Sequence, residues 1–110
     1  MPAKKSAVRT VLGWVEEAEL RADRGFRHEL EWLAGELRGM LQLDNYQFFR
    51  RVAMRDDSIQ LLKWILCLAR NSGDRNWILN EAKGVYGSGI PPFQPALLAL
   101  VRQFKQDHAD

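Results

Sequence analysis

The chain has 110 residues, about the size of one domain, which excludes a (β/α)8 barrel or a two-domain enzyme. Hydrophobic residues make up 46% and charged residues 27%, and the formal net charge is +2, which disfavours a disordered chain and a strongly basic nucleic-acid binder. Fifteen Leu and eleven Ala against a single Thr favour helices over strands. We therefore predict one all-α domain over residues 1–110, a compact bundle of five to six helices with frayed ends at 1–6 and 106–110.

The first two predicted helices are amphipathic. A helix from Ser6 to about Ala22 is predicted by apolar residues that recur every three or four positions, namely Val8, Val11, Leu12, Val15, Ala18 and Ala22. The glycine of Asp23-Arg24-Gly25 is expected to end this helix. The same spacing predicts a second helix over residues 26–42, with an apolar face formed by Phe26, Leu30, Leu33, Ala34, Leu37, Met40 and Leu41.

Two further helices occupy the middle of the chain. Asp44 is predicted to cap a third helix from Asn45 to Arg55, with Tyr46 and Phe49 on its apolar side and Phe48 pointing elsewhere. Asp57, with Gln60 three residues later, is expected to cap a fourth helix, in which the run from Ile59 to Leu68 is apolar nearly all round. Such a helix belongs at the centre of the bundle or against another chain.

Helices five and six are predicted on either side of a loop. Asn71-Ser72-Gly73 is expected to end helix four, and Asp74 is expected to cap helix five. Three Gly and three Pro between Gly84 and Pro95 predict a structured loop. From Pro95, a sixth helix is predicted by Leu97, Leu98, Leu100, Val101 and Phe104.

The sequence contains no recognisable catalytic, cofactor or metal-binding pattern. His28 and His108 are far apart in the chain, and the glycines from Gly84 to Gly89 lack the Lys-Ser/Thr pair of a phosphate loop. We therefore predict a protein that is not an enzyme and that binds neither a cofactor nor a metal.

The cellular compartment is predicted from the cysteine content and from the N-terminal residues. Cys67 is the only cysteine, so no disulfide forms within the chain, and its apolar surroundings predict that it is buried. The N-terminus has no signal-peptide pattern, and no apolar run approaches the roughly 20 residues of a membrane span. We therefore expect a cytoplasmic protein that does not enter a membrane.

A helix-turn-helix is the alternative that involves DNA. Ala69, Gly73 and Leu79 stand roughly where such motifs place a small residue, a turn glycine and a core residue. The recognition helix would present Arg75, Asn76, Asn80 and Lys83. The basic residues are scattered among acidic ones, so we expect direct binding of nucleic acid to be the weaker hypothesis.

The remaining signal is apolar surface that a small monomer cannot easily bury. Trp14, Leu20 and Trp32 lie off the apolar faces of their helices. Trp32 with Gly35 and Gly39 is the predicted self-association surface of a homodimer, although these glycines would equally accommodate a neighbour within the chain. The predicted partner-binding set, which has the aromatic and arginine composition of interface hot spots, is Tyr46, Phe48, Phe49, Arg50 and Arg51. In the alternative reading, two of these aromatics are core residues and the arginines are solvated.

Two segments carry a resemblance to a known family: Phe26-Arg27-His28-Glu29-Leu30-Glu31-Trp32-Leu33 and Leu61-Leu62-Lys63-Trp64-Ile65-Leu66. In a small helical chain they resemble the small bacterial quorum-sensing antiactivators that bind LuxR-type (LasR-like) transcription activators, and the likeness extends over most of the chain. The resemblance implies a dimeric, non-enzymatic inhibitor that docks on the ligand-binding domain of the activator. It also implies that the inhibitor competes with dimerisation of the activator and so prevents DNA binding.

Overall fold

The computed structural model describes residues 5–21 and 24–86, which form five α-helices and no strand. The helices are α1 (Ala7–Arg21), α2 (Arg24–Arg38), α3 (Asn45–Ala53), α4 (Ser58–Leu68) and α5 (Ser72–Tyr86). The predicted all-α bundle is confirmed. The sixth helix predicted from Pro95 lies outside the described residues.

The starts of α1 and α3 are fixed by side chains that accept hydrogen bonds from the free N–H groups of the first turn. Ser6 Oγ accepts one from the Arg9 N–H at 3.2 Å. Asp44 Oδ1 accepts one from the Gln47 N–H at 2.8 Å, and Gln47 Oε1 accepts one from the Asp44 N–H at 3.2 Å. The predicted cap of α3 is therefore confirmed and forms a reciprocal capping box.

The predicted limits of α2 and α5 are wrong by about one helical turn. Helix α2 includes Gly25, the predicted end of helix one, and ends at Arg38, while α5 continues through Gly84. Glycine lowers helix stability by only about 1 kcal/mol, so tertiary packing readily overrides it. The cap of α5 is Asn71 and not Asp74, because Asn71 Oδ1 accepts the Asp74 N–H at 2.8 Å.

Helix α1 holds the bundle together. It packs most extensively against α2 and also contacts α3 and α4, while α3 packs against α4 and α5. Trp14 is buried, which corrects the prediction that it lies off the apolar face of helix one. The reason is that Ala7, Val11 and Trp14 form a second apolar row beside Val8 and its neighbours, so the buried face is wider than one stripe. Leu20 is 86% exposed, in agreement with its prediction.

The residues before α1 are anchored to the bundle. Asn45 is buried at the start of α3, where its side chain accepts the Ala7 N–H at 2.7 Å and donates to the Lys5 carbonyl at 2.9 Å. The Lys5 ammonium lies 4.4 Å from the centre of the Trp77 ring of α5. Lys5 and Ser6 thus belong to the folded structure, although the sequence predicts a frayed end over residues 1–6.

Candidate protein-binding surface

An apolar groove lies between α2 and α4, and both of these helices pack against α1. We call it the aromatic groove, and its lining residues are Phe26, Glu29, Leu30, Leu33, Trp64, Cys67 and Leu68. On each helix these residues are spaced three and four apart, which places them on one face. The groove is therefore a continuous feature built by two helices from distant parts of the sequence.

Large apolar side chains remain accessible in and beside this groove. Phe26 is 68% exposed and Trp32 is 39% exposed, while Trp64 is half-buried. The Trp32 and Trp64 rings meet edge to face, with their centres 5.8 Å apart and their planes at 88°. A contiguous apolar surface of this kind is typical of a site that binds another molecule.

Arg55 fixes the side of the groove next to Trp32. Its Nε and Nη2 atoms donate to the two Asp57 oxygens at 2.7 and 3.1 Å, and Nη1 donates to Glu36 Oε2 at 3.2 Å. Its guanidinium carbon lies 5.7 Å from the centre of the Trp32 ring. Hydrogen bonding to Asp57, and secondarily to Glu36, raises the pKa of Arg55. Hydrogen bonding to Arg55 in turn lowers the pKa of Asp57.

This network also explains the start of α4. Asp57 occupies the N-cap position, but its side chain makes no capping hydrogen bond, since both carboxylate oxygens are bonded to Arg55. The predicted capping role of Asp57 is therefore wrong. The carboxylate instead joins the segment between α3 and α4 to α2 through Arg55 and Glu36.

The predicted partner-binding residues of α3 do not form one surface. Phe48 and Phe49 are 0% exposed, with ring centres 4.9 Å apart, so neither can contact a partner on the folded chain. Tyr46, Arg50 and Arg51 are exposed. The alternative reading, with two aromatics in the core and solvated arginines, describes α3. Adjacent positions are both buried because α1, α4 and α5 pack around α3.

The predicted self-association residues lie together at the C-terminal half of α2 and just beyond it. A Cβ at Gly35 would meet no atom within 4 Å, so no neighbour within the described chain occupies the space beside it. Gly39 follows the helix in a turn, where a Cβ would lie 3.4 Å from the Glu36 carbonyl oxygen. Among the described residues, Gly35 therefore does not make room for another part of the same chain, which was one of the two interpretations of this glycine. The surface formed by Gly35 and the partly exposed Trp32 is open.

Sequence reasoning missed the groove itself. Cys67 is exposed, which corrects the prediction that it is buried, and Phe26, predicted on the apolar face of helix two, is exposed as well. The available signal was the nearly uniform apolar character of α4, which predicts either a central helix or one in contact with another chain. The side of α4 that carries Trp64, Cys67 and Leu68 fits the second possibility.

The geometry at α4 and α5 does not match the helix-turn-helix alternative. Gly73 stands in the first turn of α5 and not between the helices, and Ala69 follows the end of α4. Helix α5 packs chiefly against α3 among the described helices, whereas the two helices of such a motif pack against each other. Arg75, one of the predicted recognition residues, is half-buried.

Among residues 5–21 and 24–86, no group of three or more His, Cys, Asp or Glu side chains could hold a metal ion. No helix in these ranges has the length and apolar character needed to cross a membrane. Comparisons with protein-family models, with curated proteins and with solved structures each found no match.

Proposed function

We propose that this protein is a non-enzymatic protein-binding inhibitor, and more specifically a cytoplasmic antiactivator of a LuxR-type quorum-sensing transcription activator. The observation that carries the proposal is the aromatic groove, in which accessible aromatic side chains stand on two helices. The two segments that resemble the antiactivator family supply most of the groove residues. The resemblance thus contributes the class of partner, and the groove contributes the surface.

The proposed mechanism is sequestration. The aromatic groove takes the place of the activator's own second subunit, and aromatic residues of this kind contribute most of the affinity at protein interfaces. Because the inhibitor binds the free activator subunit, mass action lowers the concentration of activator dimer. The expected consequence is loss of DNA binding by the activator without any covalent change.

The first test is a nuclease-treated pull-down from the source cell's lysate, with the bound proteins identified by mass spectrometry. We expect stoichiometric recovery of a LuxR-type activator and release of that activator from its DNA when the purified inhibitor is added. Recovery of nucleic acid alone, when nuclease is omitted, would instead favour the DNA-binding alternative. An activator that remains on DNA at saturating inhibitor would contradict sequestration.

A matched pair of variants locates the binding surface. Phe26→Ala removes an exposed side chain of the groove, and Leu20→Ala removes a still more exposed apolar side chain outside it. We expect Phe26→Ala to weaken activator binding roughly thirtyfold, as for a hot-spot residue, and Leu20→Ala to leave it unchanged. Equal affinities of both variants and the unmodified chain would remove the groove from the proposal.

We further propose a homodimer that forms through the surface of Trp32, Gly35 and Gly39. Gly13 is the matched control for Gly35, because both are exposed helical glycines whose Cβ would meet no atom within 4 Å. We expect Gly35→Leu to shift the molar mass in light scattering from dimer to monomer and Gly13→Leu to keep the dimer. A monomer at all concentrations of the unmodified chain would contradict the homodimer.

A further inference from the structure

A second depression, separate from the aromatic groove, lies along α3 and has a volume of about 550 Å³. We call it the arginine depression, and the described residues that line it are Leu43, Gln47, Arg50, Arg51, Met54 and Arg55. None of these lining residues carries a carboxylate, and none of them lines the aromatic groove. The charged side chains that the structure places in the arginine depression are therefore all positive.

Two of the three guanidinium groups in the arginine depression are available to a ligand. Arg55 donates to Asp57 and Glu36, so its hydrogen bonds are already made. Arg50 and Arg51 are exposed, and neither forms an ion pair with a carboxylate of the described residues. A ligand can therefore reach both guanidinium groups without displacing an existing partner.

Gln47 adds a third donor to the arginine depression. Its Oε1 atom accepts the Asp44 N–H at 3.2 Å in the capping box, which leaves the side-chain NH2 group to bind a ligand. The available polar side-chain groups are thus one amide NH2 and two guanidinium groups, and all of them are donors. A ligand that pairs with this set must supply acceptors, and carboxylates form charge-assisted hydrogen bonds with guanidinium groups.

The shape of the arginine depression indicates how large the ligand is. All of its described lining residues come from one stretch of the chain, residues 43–55, which consists of α3 and the turns beside it. A single helix face cannot enclose a small molecule, whose binding sites usually bury most of the ligand surface. The ligand therefore belongs to a macromolecule that covers the depression from the other side.

The two ends of the arginine depression favour a protein over a nucleic acid. Leu43 is half-buried at one end and Met54 is 53% exposed at the other, so apolar side chains stand on both sides of the donors. Exposed carboxylates also lie close to both ends, on Asp44 and Asp56. A phosphate backbone would meet these carboxylates and leave the apolar contacts unmade, whereas a protein segment supplies carboxylates and apolar side chains together.

We infer that the arginine depression is a second interaction surface, which binds an acidic segment of a partner protein with its carboxylates placed between apolar side chains. The carboxylates pair with Arg50 and Arg51 and accept a hydrogen bond from Gln47, while the apolar side chains pack on Leu43 and Met54. Because the depression shares no described lining residue with the aromatic groove, this surface goes beyond the proposed function and does not depend on it.

Selection of displayed random peptides on the immobilised full chain tests the class of ligand. Parallel selections use the unmodified chain and the double variant Arg50→Gln with Arg51→Gln. We expect the unmodified chain to recover a group of peptides in which Asp or Glu stands between apolar residues, and the double variant to lose this group. A recovered peptide with a fluorescent label is then the probe for anisotropy measurements, and its affinity should fall as the salt concentration rises.

Variants of the full chain locate the site of the labelled peptide. Arg50→Gln with Arg51→Gln should weaken its binding roughly tenfold, because two exposed charge pairs are lost. The matched control is Arg9→Gln with Lys63→Gln, which removes the same charge from exposed positions of α1 and α4 and should leave the affinity unchanged. Met54→Gln should weaken binding roughly fivefold, because the apolar contact at one end of the depression is lost.

Four results would overturn the inference. The first is that no acidic peptide is recovered, and the second is that the Arg50 and Arg51 double variant binds the peptide as tightly as the control. The third is displacement of the peptide by a single-stranded oligonucleotide at lower concentrations than by unlabelled peptide, which would make the ligand a nucleic acid. The fourth is a loss of dimer in light scattering for the double variant alone, which would make a second copy the occupant.

A purely structural role of the two arginines would give a different result. Both stand in the last turn of α3, where positive charge stabilises the C-terminal end of a helix. If that were their whole role, the double variant would have a lower urea midpoint and an unchanged affinity for the peptide. We expect the opposite outcome, in which the affinity falls and the peptide affinity of the control variant does not.

Discussion

Helix α3 and the aromatic groove contain the same kinds of side chain but divide them differently between core and surface. In α3, Phe48 and Phe49 are fully buried, while the arginines beside them are exposed. At the groove, Phe26 is accessible, and Arg55, whose guanidinium lies by the neighbouring Trp32 ring, is half-buried in an ion-pair network. Aromatic residues beside arginine therefore indicate a binding surface in one place and a piece of core in the other.

The difference is caused by the packing around each helix. Helix α3 contacts α1, α4 and α5, so two adjacent positions on it face neighbouring helices. Helix α2 packs chiefly against α1, and one side of it stays open. The local sequence cannot distinguish these two cases, because it does not determine how many other helices pack around a given face of a helix.

The largest expected effect comes from truncating one phenylalanine on each side of this comparison. Phe49→Ala removes a fully buried ring and should lower the free energy of unfolding by about 3–5 kcal/mol. Phe26→Ala removes an exposed ring and should change it by no more than about 0.5 kcal/mol. Urea denaturation followed by circular dichroism measures both. If both variants lost a similar free energy of unfolding, Phe26 would be as important to the core as Phe49, and the assignment of one to the surface and the other to the core would be wrong.

A smaller effect is expected from the polar anchor of α3. Asn45→Ala removes the hydrogen bonds to the Ala7 N–H and the Lys5 carbonyl and leaves a buried N–H without a partner. We expect a loss of about 1–3 kcal/mol in the free energy of unfolding. The control is Asn76→Ala on an exposed position of α5, which should be nearly neutral. An Asn45→Ala variant as stable as this control would mean that the anchor contributes nothing.

Patterns that act within one helical turn predicted the fold well. The apolar spacing gave the helices, and Asp44 with Gln47 three residues later gave the start of α3, because the capping box involves only neighbouring residues. The cap of α4 was not predictable in this way. Asp57 is bonded to Arg55, and Arg55 is bonded to Glu36 of a different helix.

The candidate site was much less predictable from the sequence. The predicted partner residues include Phe48 and Phe49, which are core, while Cys67 was predicted to be buried and is exposed. The groove combines residues of α2 and α4 that are more than thirty positions apart, such as Phe26 and Trp64. Only the arrangement of both helices on α1 brings them together, and hydrophobic periodicity contains no information about that arrangement.

A modest stabilisation is expected on the open side of α2. A Cβ at Gly35 would meet no atom within 4 Å, so Gly35→Ala should raise the stability of the isolated chain by about 0.5–1 kcal/mol, because alanine favours the helix. Gly13→Ala in α1 should give the same gain, since its surroundings are equally open. If Gly35 is also at the proposed dimer interface, denaturation at high protein concentration will show a smaller gain for Gly35→Ala than for Gly13→Ala. Equal gains at every concentration would argue against an interface at Gly35.

The smallest expected effect is a pH dependence at the junction between the two regions, where Arg55 joins Asp57 to α2. The pKa of Asp57 is lowered from 3.8 in the folded chain, chiefly by hydrogen bonding to Arg55. Its contribution to stability is therefore present above about pH 4 and is lost as the pH falls through the lowered pKa, where the carboxylate takes up a proton.

Because 42% of the Asp57 side chain is exposed, we expect a contribution below about 1 kcal/mol. Asp57→Asn should thus lower the urea midpoint slightly at pH 7 and by less near pH 3, whereas Asp56→Asn, at the exposed neighbouring position, should lower it at neither pH. If Asp57→Asn lowers the midpoint equally at both pH values, the loss comes from packing and not from the ion pair, and Arg55 would then fix Trp32 by its contact with the ring alone.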